Sequence, residues 1–284
     1  MKNKKIKICP DGFEQEMTTI WSFKDRGDWA THNPNYRGNW SPYIPRNLLL
    51  RYSKEKDLVL DQFAGGGTTL VEAKLLNRNC IGIDINPDAV KICRKAINFD
   101  MPKSGKVTLI KGNAQKLAKI KDKSIDFICT HPPYANIINY SDGIDNDLSL
   151  LKVKDFIEAM KPVAAESYRV LKDDKYCAIL IGDTRKNGRV VPLGFGIMRV
   201  FLNAGFKLKE IIIKEQHNCK ATGFWKNSSI KYNFLLLAHE YLFVFVKDKV
   251  SKKKKTMKPR YSVIDNKTGE TCSLDDLIIK GIFK

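Results

Sequence analysis

The tetrapeptide His131-Pro132-Pro133-Tyr134 brings together residue types suited to holding a ligand rigidly. It follows an apolar run, 125-IDFIC-129, whose composition predicts a buried strand. Two consecutive prolines end a strand abruptly, because proline has no N–H to donate and its ring fixes φ. The imidazole and the phenol that flank the prolines offer hydrogen bonds and a stacking surface. The tetrapeptide therefore predicts a stiff ligand-binding turn at the end of a strand.

A glycine-rich turn, 61-DQFAGGGTT-69, lies between a predicted strand and a predicted helix. Glycines at such a position allow a ligand to approach the backbone and the start of the helix. The spacing fits neither GxGxxG nor a phosphate loop, because no GK[ST] follows. Asp61 is placed to accept a hydrogen bond from an ammonium group. The alternative is a glycine turn with a purely structural role.

Polar residues also end the next two predicted strands. Asp84 closes 80-CIGIDI-85, about 20 residues after the glycine turn, where an acid can take both hydroxyls of a ribose. The alternative role is a helix N-cap, which Asn86 can also supply. Asn113 follows the strand 106-KVTLIKGNA-114 and is placed to bond an adenine edge, although a loop asparagine is usually a turn residue.

Strands alternate with helices along the chain, which predicts an α/β fold with a doubly wound, mostly parallel sheet of seven strands. In such sheets ligands bind at the carboxyl ends of the strands, near the point where the strand order reverses. The glycine turn, Asp84, Asn113 and the proline turn all follow strands. We therefore expect them to meet at one edge of the sheet.

These motifs together resemble the S-adenosylmethionine-dependent amino-methyltransferases, which methylate adenine N6 or cytosine N4 in DNA. The family's F-x-G-x-G motif corresponds to 63-FAGGGT-68, and its [D/N/S]-P-P-[Y/F/W] motif corresponds to 131-HPPY-134. The segment 41-SPYIPRNLLLRYS-53 is similar to the family's motif upstream of the glycine loop. The resemblance covers residues from about 40 to 247, in the motif order of one permuted class.

The resemblance implies a Rossmann-like methyltransferase fold with small irregular insertions for DNA recognition. It also implies that S-adenosyl-L-methionine is held by Asp61, Phe63, Ala64, Gly65, Gly67, Thr68, Asp84, Ile85 and Asn113. The catalytic residues would be His131, Pro132, Pro133 and Tyr134.

The implied reaction explains the residue types of the proline turn. An exocyclic amine conjugated to a base is a poor nucleophile. Acceptors for its two hydrogens, at His131 and at the Pro132 carbonyl, drive the nitrogen toward sp³ and expose its lone pair. Tyr134 would stack on the extruded base.

Position 131 departs from the family pattern, which has Asp, Asn or Ser there. Imidazole accepts a hydrogen bond only when neutral, so we expect activity to fall at acidic pH unless the backbone carbonyl suffices. The neutral side chain is closer to the serine type, which slightly favours cytosine N4 over adenine N6. A structural histidine is the alternative.

The formal net charge of +19 favours a polyanionic partner, with double-stranded DNA expected here. The stretch 214-KEQHNCKATGFWKNSS-229 predicts a polar recognition loop (about 214–233) that interleaves lysines with an aromatic. The candidate nucleic-acid contacts are Lys220, Trp225, Lys226 and Arg185, of which Arg185 is explained slightly better by a turn before Gly188. Base readout is also open to the aromatic segment 21–43, the loop 135–150 or a partner.

Three regions are expected along the chain: an aromatic and basic N-terminal segment (1–40), the methyltransferase domain (41–247) and a basic C-terminal extension (248–284). Seven scattered cysteines without a CxxC pair suggest the cytoplasm and argue against a disulfide scaffold or a zinc site. The four histidines lie far apart, so no metal site is expected. No membrane segment or signal peptide is evident. A cognate restriction endonuclease or a recognition partner is also expected.

Two other functions remain open at this stage. An RNA base N-methyltransferase would use the same catalytic turn, although no RNA-binding module is apparent. A catalytically inactive nucleic-acid-binding protein is favoured only by the histidine at position 131.

Overall fold

The structure, a computed structural model, describes most of the chain. The described residues are 7–33, 36–217 and 220–249, together with the backbone of the two strands Ser262–Ile264 and Thr271–Ser273.

The chain divides into two compact units, the first ending at Asp248 and the second beginning at Lys249. In the second unit the strands β11 (Ser262–Ile264) and β12 (Thr271–Ser273) pair antiparallel. The basic run 251–260, expected to be a tail, lies outside the described residues.

The first unit contains ten strands and six α-helices among its described residues. The strands are β1 (Ile20–Trp21), β2 (Leu58–Asp61), β3 (Asn79–Asp84), β4 (Val107–Lys111), β5 (Ile125–Thr130), β6 (Leu171–Ile181), β7 (Thr184–Lys186), β8 (Arg189–Val191), β9 (Lys207–Glu215) and β10 (His239–Lys247). The helices are α1 (Tyr43–Tyr52), α2 (Thr68–Leu75), α3 (Pro87–Ala96), α4 (Val153–Val170), α5 (Leu193–Asn203) and α6 (Lys220–Lys231).

Eight of these strands form one sheet in the order β1-β9-β10-β6-β5-β2-β3-β4. Strands β2 to β6 pair in parallel, and β10 runs antiparallel to both β6 and β9. The predicted doubly wound, mostly parallel sheet is therefore confirmed. The chain moves outward from β2 to β4 and then crosses back to β5, so the strand order reverses between β2 and β5. The turns after those two strands are the glycine turn and the proline turn.

The local sequence explains the elements that border this reversal point. Every residue of β5 is buried, as expected for a central strand made largely of apolar residues. Helix α3 begins with proline, whose missing N–H costs nothing there, and the Asn86 side chain accepts a hydrogen bond from the Asp88 amide (2.9 Å). Helix α2 begins after Gly67, whose φ of 86° suits glycine, and a Cβ there would lie 2.8 Å from the Cys93 sulfur.

The N-terminal segment is part of the first unit's core. The side chains of Trp21 and Trp29 are each 1% exposed, and Trp40 is also buried. Glu72 of α2, fully buried, accepts hydrogen bonds from the Trp29 indole (2.6 Å), the His32 imidazole (2.7 Å) and Arg46 (2.8 Å). Trp21 and Trp29 are therefore not available to stack on bases, which removes part of the segment 21–43 from the candidates for base readout.

Two elements differ from the sequence prediction. The sheet gains an eighth strand, because the two-residue β1 pairs parallel with β9. The stretch predicted as a polar loop contains the helix α6 instead. Its sequence, KATGFWKNSSIK, shows no helical period of apolar residues that would have predicted a helix. In the structure the large apolar residues of this helix are exposed.

No α-helix in the described ranges is both long enough and apolar enough to cross a membrane.

Candidate active site

A cleft of about 810 Å³, counted with the open solvent at its mouth, lies at the carboxyl ends of β2, β3, β4 and β5. Its position is the one expected for ligands of an open α/β sheet. The lining residues come from the turns after these strands, from the segment 36–40 and from the loop 140–148.

The glycine turn supplies one wall of the cleft and its first carboxylate. Asp61 accepts hydrogen bonds from the Thr130 hydroxyl (2.7 Å) and the Phe63 amide (3.1 Å). Burial raises the pKa of Asp61 to about 6, although these hydrogen bonds act in the opposite direction. Asp61 has no ion-pair partner within the described part of the chain. A cationic ligand group would therefore complete its surroundings.

Asp84 is the second carboxylate on the cleft. It accepts hydrogen bonds from the backbone amides of Gly65 (2.8 Å) and Asn86 (2.9 Å), which tie the glycine turn to the end of β3. Burial raises the pKa of Asp84 despite these bonds. Asn113 also lines the cleft, and its side-chain oxygen accepts a hydrogen bond from the Gln115 amide (2.9 Å). The side-chain amide of Asn113 therefore already closes a local turn with Gln115.

The proline turn, which follows the neighbouring strand β5, also lines the cleft. The His131 ring stacks on Trp40, with centroids 5.3 Å apart and planes inclined by 21°. Its Nε2 is 2.8 Å from the Tyr134 hydroxyl. Burial lowers the pKa of His131 to about 4, so the imidazole is neutral near pH 7. The activity loss expected from protonation of His131 consequently belongs near pH 4.

A second layer of polar residues stands behind the proline turn. The Tyr134 hydroxyl donates to Glu240 (2.7 Å), and Glu240 accepts from the Lys214 ammonium (2.9 Å). Glu240 and Lys214 are paired residues on β10 and β9. Burial alone would raise the pKa of Glu240, but Lys214 and the hydrogen bonds outweigh it and the pKa is lowered. Glu240 is thus a buried carboxylate anion.

Two tyrosines, Tyr36 and Tyr140, also line the cleft. The rings of Tyr36 and Tyr140 are stacked, with centroids 6.2 Å apart and planes within 9°. The Asn86 amide donates to the Tyr140 carbonyl (2.7 Å), and burial raises the pKa of Tyr140 to about 12. These two tyrosines come from segments more than 100 residues apart, on either side of the glycine turn and β5.

The structure gathers most of the site residues predicted from the sequence around this cleft. Those that line it are Asp61, Phe63, Ala64, Gly65, Thr68, Asp84, Ile85, Asn113, His131, Pro132 and Pro133. Gly67 does not line it and instead begins α2. Tyr134 does not line it either, because its ring packs on Gly182, where a Cβ would lie 2.8 Å from the tyrosine ring.

The predicted nucleic-acid contacts lie apart from the cleft walls. Trp225 and Lys226 are exposed on α6, with Trp225 at 47% and its neighbour Phe224 at 76%. The side chain of Lys220 lies outside the described residues. The Arg185 side chain donates to the carbonyls of Gly188 and Leu235 (2.8 Å each). Arg185 therefore holds two loop segments together, as the turn alternative predicted.

Helix α6 nevertheless rises from the same edge of the sheet as the cleft. It lies between Glu215, the last residue of β9, and His239, the first residue of β10, and these two residues pair. Tyr241 of β10 pairs with Ile181 at the carboxyl end of β6, which runs parallel to β5. The exposed aromatics of α6 therefore belong to a connection at the same edge of the sheet as the cleft.

Sequence reasoning missed Trp40 as a partner of His131, Tyr36 and Tyr140 as a stacked pair that lines the cleft, and Glu240 and Lys214 behind the proline turn. Aromatic clustering in 21–43 was the one available signal for Tyr36 and Trp40. Glu240 stands out only as an acid within the apolar run 234-FLLLAHEYLFVFVK-247.

Comparison with protein families gives two matches. A family model described as DNA methylase matches residues 1–95 and 125–279, most of the chain, and includes both the glycine turn and the proline turn. A model described as RNA cap guanine-N2 methyltransferase matches the shorter range 56–171. The first match confirms the resemblance drawn from the sequence.

Curated relatives share shorter stretches. The Type II methyltransferase M2.LlaDCHI of Lactococcus lactis subsp. cremoris is 37% identical over 87 residues, which are 30% of this chain and 31% of that protein. M2.DpnII of Streptococcus pneumoniae, also a Type II methyltransferase, is 36% identical over 98 residues, which are 34% of this chain and 35% of that protein. The chain therefore matches about a third of the length of these relatives.

Among solved structures, TrmN from Thermus thermophilus is similar in fold. Its TM-score is 0.51 at 16% identity, over 75% of this chain and 51% of that one. At this identity the likeness concerns the fold alone.

Proposed function

Because this chain belongs to the N6/N4 DNA methylase family, we propose that it transfers a methyl group from S-adenosylmethionine to an exocyclic amine of a base in double-stranded DNA. We favour cytosine N4 slightly over adenine N6, from the neutral side chain at position 131. The observation that carries this proposal is a cleft lined by the neutral His131 and by two carboxylates, Asp61 and Asp84, that have no ion-pair partner among the described residues.

S-adenosylmethionine is the methyl donor of this family, and the cleft suits it chemically. Asp61 and Asp84 each have a pKa raised by burial and no ion-pair partner among the described residues. We assign Asp61 to the ligand's ammonium and Asp84 to its ribose hydroxyls. Phe63 and Ile85 add apolar surface, and Asn113 borders the same space. The bound ligand supplies an electrophilic methyl group on a sulfonium.

The proline turn would activate the amine. His131 and the Pro132 carbonyl accept hydrogen bonds from the two N–H groups of the amine, which localises the lone pair on nitrogen. The prolines hold both acceptors in place before the base arrives, so little reorganisation is required during the reaction. The stacking of Tyr134 on the extruded base stays a prediction, and it requires a face of the ring to be reached by the base although the ring packs on Gly182 and does not line the cleft. Trp40, stacked on His131, keeps the imidazole ring from turning.

The substrate would approach over α6. Its exposed aromatics and lysines, and the overall positive charge, suit a nucleic-acid surface. We infer that Trp225 and Lys226 contact DNA near the flipped base. The match to Type II methyltransferases makes a cognate restriction endonuclease or a separate recognition partner part of the same proposal.

The first test is the identity of the product. Purified protein is incubated with S-adenosylmethionine and unmethylated duplex DNA, and the digested nucleosides are resolved by mass spectrometry. N4-methylcytosine would support the proposal in full. N6-methyladenine would keep the mechanism and overturn the preference for cytosine. Absence of both, in a protein that binds S-adenosylmethionine, would contradict DNA as the substrate.

RNA is the second candidate substrate, and one observation favours it. The match to the RNA cap guanine-N2 methyltransferase model includes the glycine turn and the proline turn. Guanine N2 is also an exocyclic amine, so the same acceptors would serve. The same digestion applied to an RNA pool separates the two, because methylation of RNA alone would favour this reading over DNA.

Cofactor affinity should depend on pH through Asp61. Its pKa of about 6 means that the carboxyl is neutral at lower pH, whereas an ammonium ligand requires the anion. Affinity for S-adenosylmethionine should therefore fall as the pH drops below 6, by about tenfold at pH 5. Isothermal titration calorimetry at pH 7 and pH 5 measures this difference.

Two variants serve as the test and the control of the pH experiment. Asp61→Asn should bind more weakly at pH 7 and lose the dependence on pH. Asp122→Asn removes an exposed carboxylate paired with Arg169 and should keep the wild-type dependence. Equal affinities of the wild-type protein at pH 7 and pH 5 would contradict the role of Asp61.

DNA affinity should depend on the exposed tryptophan of α6. Trp225→Ala is expected to weaken binding of a duplex by about tenfold, because stacking on a base contributes about 1–3 kcal/mol. Fluorescence anisotropy at fixed salt measures it. Met17→Ala, another exposed apolar residue, lies beside Arg51 at the end of α1 and serves as the control. An equal effect of both substitutions would contradict a DNA contact at α6.

A further inference from the structure

We propose that Glu240, paired with Lys214, acts through the Tyr134 hydroxyl to hold His131 in the tautomer that carries its proton on Nε2. The lone pair of Nδ1 then faces the cleft, where it accepts a hydrogen bond from the substrate amine. This inference rests on the proposed function and deepens it, because it names the residues that make His131 an acceptor.

The hydrogen bonds form an unbranched chain. His131 Nε2 is 2.8 Å from the Tyr134 oxygen, that oxygen is 2.7 Å from Glu240 Oε1, and Lys214 Nζ is 2.9 Å from Glu240 Oε2. A phenol has one hydrogen to donate, and an ammonium can only donate. The direction of every bond in the chain therefore depends on where the single phenolic proton lies.

Charge decides that direction. Burial and the nearby Glu240 raise the pKa of Tyr134, so the phenol keeps its proton. Glu240 has a lowered pKa and is an anion, so it can only accept. The phenolic hydrogen must therefore point at Glu240. The only hydrogen left for the contact between Tyr134 and His131 is one on Nε2.

The remaining nitrogen of the ring is consequently an acceptor. Burial lowers the pKa of His131, so a neutral imidazole with a proton on Nε2 has none on Nδ1. Nδ1 makes no hydrogen bond to any residue that the structure describes, and His131 lines the cleft. Stacking on Trp40 restricts rotation of the imidazole ring about the bond that joins it to Cβ. The arrangement keeps one lone pair available on the side of the substrate.

The pairing of β9 with β10 explains why these residues can do this. Lys214 and Glu240 stand opposite each other in an antiparallel pair, so their side chains share one face of the sheet. Gly182, at the end of β6, leaves room for the Tyr134 ring between that face and the proline turn. Glu240, Lys214 and the Tyr134 hydroxyl are positioning groups, because they act on the substrate only through His131.

The substitution Glu240→Gln provides a one-atom test. The Lys214 ammonium must donate, so it would hold the oxygen of Gln and leave the amide NH₂ facing Tyr134. Tyr134 would then accept from Gln and donate its own hydrogen to His131 Nε2. The imidazole proton would move to Nδ1. Nδ1 would then be a hydrogen-bond donor and could no longer accept a hydrogen bond from the substrate amine.

The experiment measures the tautomer directly, by ¹⁵N NMR of the His131 ring in protein that has neither DNA nor S-adenosylmethionine added. We expect the proton on Nε2 in the wild type and on Nδ1 in Glu240→Gln, with kcat lowered by about a hundredfold in the variant. Tyr134→Phe keeps the ring that packs on Gly182 and should give a mixture of tautomers. A proton on Nδ1 in the wild type would overturn the proposal, as would an unchanged tautomer in Glu240→Gln.

A matched control and a separate readout keep this proposal distinct from the proposed function. Glu210→Gln makes the same chemical change on the neighbouring strand, at a partly exposed residue beside Lys209, and should leave tautomer and kcat unchanged. Thermal unfolding and S-adenosylmethionine affinity verify that the Glu240 variant is folded. Failure of the proposed function would appear in the products of the wild-type protein, whereas failure of this proposal would appear in the spectra.

Discussion

We expect His131→Ala to lower kcat by about 10²- to 10³-fold, the usual cost of removing one preorganised hydrogen-bonding group that acts in the transition state. The amine nitrogen becomes more nucleophilic only when its hydrogens are bonded to acceptors. Removing one acceptor therefore slows the methyl transfer itself, and the loss should appear mainly in kcat. Affinity for S-adenosylmethionine should stay close to the wild-type value, because Asp61 and Asp84 are unchanged. Single-turnover methylation and calorimetry measure the two quantities.

His131→Asn is the informative companion to this variant. An asparagine amide oxygen also accepts a hydrogen bond, and asparagine is one of the residues that the family has at this position. We expect His131→Asn to retain much more activity than His131→Ala. If His131→Ala methylated at the wild-type rate, the Pro132 carbonyl would be sufficient and the imidazole would have no part in activating the amine.

The parts of the site that could be predicted from the sequence are those in which the ligand-facing residue follows its own strand directly. The glycine turn after β2, Asp84 at the end of β3 and the proline turn after β5 each carry their position in a short contiguous motif. In a parallel sheet the strand ends share an edge, so alternation of strands and helices was enough to bring these motifs together. The cleft in the structure contains them.

The residues behind and beside the proline turn depend on contacts that no local pattern specifies. Glu240 reaches Tyr134 only because β10 inserts between β6 and β9 with the register Glu240 to Lys214. Trp40 reaches His131 from a segment without regular structure. Such contacts are set by tertiary packing over about 90 to 110 residues of intervening chain, and sequence periodicity carries no information about them.

Helix α6 is a case in which the local sequence pattern predicted the wrong element, a loop instead of a helix. Amphipathic periodicity identifies helices that bury one face, whereas α6 leaves Phe224, Trp225 and Ile230 exposed. Its glycine, asparagine and serines are weak helix formers, so the propensities favoured a loop as well. A helix that exposes its aromatics has a surface for a partner, which is the role that we propose for it with DNA.

The second large effect that we expect is on stability, from Glu72→Ala. Glu72 is 0% exposed and accepts hydrogen bonds from Trp29, His32 and Arg46, all of which approach α2 from the N-terminal half of the chain. Its removal leaves the buried Arg46 guanidinium without its carboxylate and the Trp29 indole without an acceptor. Breaking a buried ion pair in this way costs about 3–5 kcal/mol. At about 2–4 °C per kcal/mol, Tm should fall by about 6–20 °C.

Glu158→Ala is the matched control for this prediction. Glu158 forms an exposed pair with Lys161 on α4, and loss of an exposed pair costs about 1 kcal/mol or less. The contrast between the two variants tests whether the N-terminal segment is fastened to α2 by this buried cluster. If it is, limited proteolysis of Glu72→Ala should cut the segment around Trp29 before the sheet is cleaved. Equal Tm values for the two variants would mean that the apolar contacts of Trp21 and Trp29 hold the segment without Glu72. Because Trp40 belongs to the same segment and stacks on His131, loosening it should also lower methylation at temperatures below Tm.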